Sequence, residues 1–196
     1  MDNRQPPAQS LLKNLPESVL GAAREPAPVH LWDPDLSGEL NMHIARDGTW
    51  YHEGGPISRL ALAQLFSGIV RLEEDGCYYL VTPVEKWAIQ VDDVPFVAVR
   101  MEVQGQGTEQ QLRFFTSLEH EVVASAEHPI SVTLDADTDE PSPYILLRSN
   151  LQARIHRNVF YQLVELAQEH ELDGQTRMGV WSSGVFFPID GGVVQA

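Results

Sequence analysis

Thr82-Pro83-Val84-Glu85-Lys86-Trp87 gathers a hydroxyl, a carboxylate, an ammonium and an indole into six residues. The proline marks a turn, so the four groups share one end of a hairpin. Such a turn serves either as the polar rim of a binding cleft or, more simply, as a bend closed by a local Glu85–Lys86 pair. Arg59, Arg148 and Arg157, with the aromatic Trp50 and Tyr144, are the other side chains able to line such a cleft. The net charge of the chain leaves basic proteins, cations or neutral ligands as admissible partners for it.

Other chemistries find little support. None of the seven histidines falls in H-E-x-x-H, because Ala124 stands where the second ligand of His120-Glu121 is needed. Asp135-x-Asp137-x-Asp139 imitates the start of a calcium loop. It fails at the turn glycine, replaced by Glu140, and at the closing glutamate, replaced by Leu146. Nucleophile elbows, Walker loops and dinucleotide fingerprints are missing. No cofactor and no metal are expected. Cys77, alone in the chain, excludes an intrachain disulfide, and its setting in CYYLV predicts a buried, inert thiol.

The charge restricts the partners. The 196 residues carry a formal net charge of −15, and the only lysines are Lys13 and Lys86. Phosphate backbones and anionic membranes are held by clustered bases, so neither nucleic acid nor a membrane is an expected partner. A small molecule or a protein is. The start MDNRQPPAQS lacks the features of a signal peptide, which predicts a cytoplasmic location.

Residues 1–36 contain six prolines and read as an extended arm, with one short helix from Ser10 or Pro16 to Ala23 and Trp32 as its anchor. Asp47-Gly48 between alternating runs predicts a type I′ hairpin. Pro56 opens a helix over Ile57–Leu72, with Gln64, Ser67 and Arg71 on its polar arc and Leu62, Leu65, Phe66 and Ile69 opposite. Strands Cys77–Thr82 and Lys86–Val91 follow. Strands Phe96–Val103, Gln111–Ser117, Glu121–Ala124 and Ile130–Leu134 pair most simply as an antiparallel meander. After the strand Tyr144–Arg148, a second helix spans Arg154 to about His170. Met178–Val180 and Gly184–Ile189 form a last hairpin.

The chain also matches itself. Displaced by 98 residues, Ile57–Asp92 falls on Ile155–Asp190 without a gap, giving eight identities in thirty-six positions. Composition alone would give roughly two or three. Both windows hold a helix, an Asp-Gly turn, two strands and an acid. Arg59 and Arg157 recur in the first helical turn, where a cation is unfavourable and needs a partner. Asp92 and Asp190, recurring at the same offset, are the first expected partners and backbone carbonyls the alternative, each anchor pinning a helix to its own hairpin.

The runs DGTWYHEGGPISR, LVTPVEK, PFVAVRMEV, HPI and PYILLRSNLQARIHRNVFYQLVELA resemble a bacterial family of uncharacterised proteins, the domain-of-unknown-function family 1285. The resemblance runs from about Trp32 onward. It implies a small cytosolic protein of two repeated α+β units and a signalling or ligand-binding role. It implies no catalytic residue.

The expected architecture is α+β: an arm (1–36), a first helix-plus-antiparallel-sheet unit (37–95), and a second with additional strands (96–196). The expected function is a non-enzymatic binding module, using a cleft between the duplicated units lined by Trp50, Arg59, Thr82, Glu85, Lys86, Tyr144, Arg148 and Arg157. A small hydrolase or transferase with His128 or His52 as base is the alternative, and a homo-oligomeric adaptor the third reading.

Overall fold

A computed structural model of the chain describes Leu11, Lys13, Asn14 and residues 26–191. The short helix expected between Ser10 or Pro16 and Ala23 lies outside the described residues, save for Leu11, Lys13 and Asn14. The chain divides into two compact units after Pro95.

In the first unit, β1 (Leu36–Ile44), β2 (Trp50–His52), β3 (Gly55–Pro56), β4 (Val70–Leu72), β5 (Tyr78–Val81) and β6 (Lys86–Val91) form one sheet in the order β3-β2-β1-β6-β5-β4. Helix α1 (Leu60–Ser67) links β3 to β4. All neighbours run antiparallel except the central pair, β1 and β6, which is parallel. The core gathers Met42, Ile44 and Trp50 from β1 and β2, Phe66 from α1, and Leu80 from β5.

The second unit contains a sheet built the same way. Its strands are β7 (Phe96–Gln104), β8 (Gln111–Thr116), β9 (Glu121–Val123), β10 (Ile130–Leu134), β11 (Pro141–Arg148) and β12 (Leu151–Ile155), in the order β10-β11-β12-β7-β8-β9. Here too the first and sixth strands form the parallel central pair. Each sheet is therefore two three-stranded meanders joined first strand to last. Helix α2 (Arg157–Leu166) follows β12, and β13 (Gln168–Leu172), β14 (Gln175–Ser182) and β15 (Val185–Pro188) make an extra antiparallel sheet.

The duplication is thus visible in two registers. Strand order equates β1–β6 with β7–β12. The 98-residue displacement instead equates α1-β4-β5-β6 with α2-β13-β14-β15, each a helix followed by a three-stranded meander.

Several boundaries differ from expectation. Helix α1 ends at Ser67, not Leu72, because Ile69 and Val70 join the ladder to β5 and Val81 N–H donates to Ile69 O at 3.0 Å. The β-branched pair fits the pleat better than a helix. With the last turn gone, the expected polar arc fails: Gln64 and Ser67 lie on the buried face, where the Ser67 hydroxyl donates to Gln64 O at 2.7 Å. Helix α2 begins at Arg157, since Leu151, Ala153 and Ile155 alternate as the buried side of β12. The His156 imidazole caps it by accepting from Asn158 N–H at 3.3 Å. It ends at Leu166, where the chain enters β13. Strands β7, β8 and β9 form the expected meander, but β10 pairs with β11 on the far side.

Equal dipeptides give unequal turns. At Asp173-Gly174 both residues have positive φ, 53° and 75°, as a type I′ hairpin requires. At Asp47-Gly48 and Asp75-Gly76 only the glycine does, at 85° and 77°. There the aspartate instead accepts from the N–H two residues on, Thr49 and Cys77 respectively. These are three-residue turns with a glycine bulge.

Candidate functional site

The Thr82–Lys86 turn is closed by the threonine. Thr82 is fully buried, and its hydroxyl accepts from Glu85 N–H at 3.1 Å while its own N–H donates to Glu85 O at 2.9 Å. The expected Glu85–Lys86 pair does not form. Glu85 accepts from the Asn14 amide at 2.8 Å and from the Trp87 indole at 3.2 Å. Lys86 turns to Glu73, donating to both carboxylate oxygens at 3.2 and 3.1 Å, and lies 5.1 Å from the Tyr79 ring centre. Glu85 lies in the turn and Lys86 opens β6, and the separate partners of each keep the two groups apart.

Glu73 is the hub of a wider network. Arg71 donates to it through Nε and Nη2, and through Nη1 to the carbonyls of Val29 at 2.9 Å and Trp32 at 2.6 Å. One guanidinium thereby fastens the N-terminal segment to β4, and Ala27 N–H adds a bond to Gly68 O. Trp32 anchors this segment through its carbonyl. Burial works to raise the Glu73 pKa, but the hydrogen bonds from Arg71 and Lys86 outweigh it and hold the carboxyl below its ordinary value. Beyond Tyr79, the phenol donates to Asp75 at 2.7 Å and is pushed up to about 12 by that bond. Cys77, beside Asp75, is exposed rather than buried: β5 begins one residue later, so the thiol falls on the turn.

A concave site lies at the centre of the same sheet. Glu39 pairs with Ala88 and His43 with Gln90, so β1 carries two more residues than β6 between these points and the parallel pair splays. A cavity of about 520 Å³ opens there, lined by Glu39, Leu40, Asn41, Met42, His43, Ala88, Ile89 and Gln90. On its rim, His43 Nε2 lies 2.8 Å from Asp92 Oδ1 and the imidazole stacks on Tyr51 at 5.8 Å between ring centres. The Asn41 amide donates to Glu53 at 3.3 Å. The polar side chains of the lining are thus a carboxylate, two amides and an imidazole, while Leu40 and Met42 alternate with them into the core.

None of the other sequence candidates lines this cavity. Trp50 is buried on β2, and among the described residues its indole N–H has no hydrogen-bond partner. Arg59 is exposed just before α1. In the second unit, Tyr144 is half-buried on β11, and Arg148 lies 5.1 Å from the Phe96 ring centre, its pKa lowered by burial to about 10. Near Arg148, His120 packs edge-on against Phe96, and burial pushes it down to about 4, with the Arg148 charge adding to the shift. Arg157 is 71% exposed, with its guanidinium 3.6 Å from Glu140.

The Arg–Asp anchors are thus overturned: Asp92 takes His43, and Asp190 takes Arg177. Both arginines stand at helix starts, where solvation relieves the charge that a buried partner was expected to neutralise. Of the suggested bases, His128 donates through Nδ1 to Leu146 O at 3.1 Å, and His52 Nε2 is buried, 3.9 Å from Glu53. Sequence reasoning missed Arg71, Glu73, His43 and the cavity, because no local signal reports a register shift between strands so far apart in the chain. The Glu39-x-x-x-His43 spacing on one alternating run is the only hint.

Among the described residues, no group of three or more His, Cys, Asp or Glu side chains is placed to hold a metal ion. No described helix is long and apolar enough to cross a membrane.

Two family models match consecutive stretches. Residues 27–94 match the N-terminal domain of unknown function DUF1285, and residues 95–189 the C-terminal domain of the protein of unknown function DUF1285. No curated protein matches. A DUF1285 family protein from Silicibacter pomeroyi DSS-3, known from a crystal structure, is 49% identical over 87% of this chain and 93% of its own, with a TM-score of 0.78. A second, from Shewanella baltica OS155, is 28% identical over 63% of this chain and 89% of its own, with a TM-score of 0.49. With both halves matched in order and a relative at this identity, the chain belongs to the DUF1285 family of bacterial proteins.

Proposed function

We propose that this protein is a non-enzymatic binding module whose small-molecule ligand occupies the cavity at the splayed β1–β6 pair. The observation that carries the reading is the register shift between Glu39–Ala88 and His43–Gln90, which opens about 520 Å³ in the middle of a sheet. That volume falls in the range of ligand pockets, roughly 300–1,000 Å³. Its chemistry also fits, with Glu39, Asn41 and Gln90 for orientation and the less buried Ala88 and Ile89 for packing. The lining holds no lysine or arginine, which favours a neutral or cationic ligand over a phosphorylated one.

A second reading, hydrolysis or group transfer with a histidine base, draws on His43 beside Asp92 at 2.8 Å. A carboxylate orients an imidazole in this way in acid–base catalysis. No serine, threonine or cysteine stands among the lining residues to complete a nucleophilic set.

Thermal-shift screening against a metabolite library tests the proposal, with Glu39→Ala and Gln90→Ala beside the wild type. A ligand at a hundred times its Kd stabilises by about 2.7 kcal/mol. The expected result is a compound that raises the wild-type Tm and leaves both variants unmoved. Hits that stabilise the variants equally, or a library without hits, would overturn the reading. Turnover of a hit that stops in His43→Ala would favour the enzymatic one.

A further inference from the structure

We propose that the exposed face of α2 is a self-complementary docking surface for a second copy of this chain. The helix buries Val159, Phe160 and Leu163 and turns Arg157, Tyr161, Val164 and Glu165 to solvent. Tyr161 is 54% and Val164 49% exposed, two large apolar side chains one turn apart on the same side. The charges around them are arranged symmetrically. Arg157 precedes Tyr161 by four residues and Glu165 follows it by four, about 6 Å along the axis each way. Two antiparallel copies related by a two-fold axis beside Tyr161 therefore place Arg157 of each against Glu165 of the other, with the apolar side chains between. A parallel pairing would oppose like charges instead, so the pattern selects the isologous arrangement. The contact that Arg157 makes within its own chain, to a Glu140 side chain that is 65% exposed, is solvated and yields easily.

Helices of ten residues offer about 15 Å of contact, well short of a standard interface. The net charge of −15 on each copy adds repulsion. The association is accordingly weak and belongs to high protein concentration and moderate salt.

Sedimentation equilibrium on the full chain, up to about millimolar concentration and at about 0.15 M salt, tests this. The wild type should self-associate to a dimer. Arg157→Glu and Glu165→Arg should each weaken the dimer at least about tenfold, and the double variant R157E/E165R should recover it. Tyr161→Ser, which alters no charge, should also weaken it, and far-UV circular dichroism should report the same fold throughout. A wild type that stays monomeric over the whole range, single reversals that leave the association unchanged, or a double variant no stronger than the singles would overturn the proposal.

Discussion

Lys86 and Glu73 are joined by two hydrogen bonds of 3.2 and 3.1 Å, while Glu85, next to Lys86 in sequence, is held by Asn14 and Trp87. The ion pair that matters in this unit therefore spans the sheet from the end of β4 to the start of β6, and Arg71 extends it to the N-terminal segment.

Replacing Glu73 by glutamine leaves Arg71 and Lys86 without their anion, and both are largely buried, at 18% and 16% side-chain exposure. A loss of about 1–3 kcal/mol is expected, read as a lower urea midpoint at neutral pH. The folded carboxyl titrates below the unfolded one. Its stabilisation is therefore complete above the unfolded carboxylate pKa and disappears as pH falls through the lowered value. Glu73→Gln should accordingly be less acid-sensitive than the wild type.

His120 gives the second pH signature. Its pKa is about 4 in the folded chain, against an ordinary 6.5, because of burial and the nearby Arg148 charge. The unfolded chain binds the extra proton first, so stability is highest above about 6.5 and declines down to about 4. The slope contributed by this one group reaches at most about 1.4 kcal/mol per pH unit. A Tm-versus-pH series on His120→Phe should lack that part of the decline.

Gly179 is required by space. A Cβ there would lie 2.5 Å from Phe186 Cζ and inside the contact distance of the Phe187 carbonyl oxygen. Gly179→Ala should destabilise by about 1–3 kcal/mol through overpacking. Gly54→Ala is the useful contrast, because nothing lies within 4 Å and only its φ of +77° is at stake. About 1–2 kcal/mol is expected there. Chemical denaturation separates the two if the first exceeds the second.

Ser182 ties the extra sheet to the six-stranded sheet of its unit. Its hydroxyl accepts from Leu112 N–H at 3.0 Å and donates to Ala124 O at 2.7 Å, with the side chain fully buried. Ser182→Ala orphans both backbone groups and should cost about 1–3 kcal/mol. Amide exchange should speed up at Leu112 more than along β11, which the hydroxyl does not touch.

Much of the strand framework was legible in the residues themselves. Alternation placed β7, β8, β9 and β10 to within a few residues, and the Asp-Gly pairs marked turns. What alternation cannot report is which strand sits beside which, so the parallel closure of β1 on β6 and the cavity at its splayed part were out of reach. Helix ends are ambiguous in sequence for a related reason. Ile69 and Val70 satisfy a helical periodicity and a strand ladder equally well, and only the presence of β5 decides between them.

Side-chain pairing was harder still. Glu85 and Lys86 are adjacent in sequence yet bind different partners, whereas Lys86 and Glu73 meet only because two hairpins bring them together. Cys77, a thiol beside two tyrosines, has the sequence setting of a core residue, but the strand starts one residue too late to bury it.

The closure of each sheet by its first and sixth strands bears on how the protein is made. During synthesis β1 must wait with one edge unpaired until β6 leaves the ribosome, and β7 must wait in the same way for β12. Open edges are where strands of different chains join, so the hazard of misassembly falls in those two intervals. The first sheet can close before the second has begun, which keeps the intervals apart and lets each nascent half shelter its edge before the next is exposed.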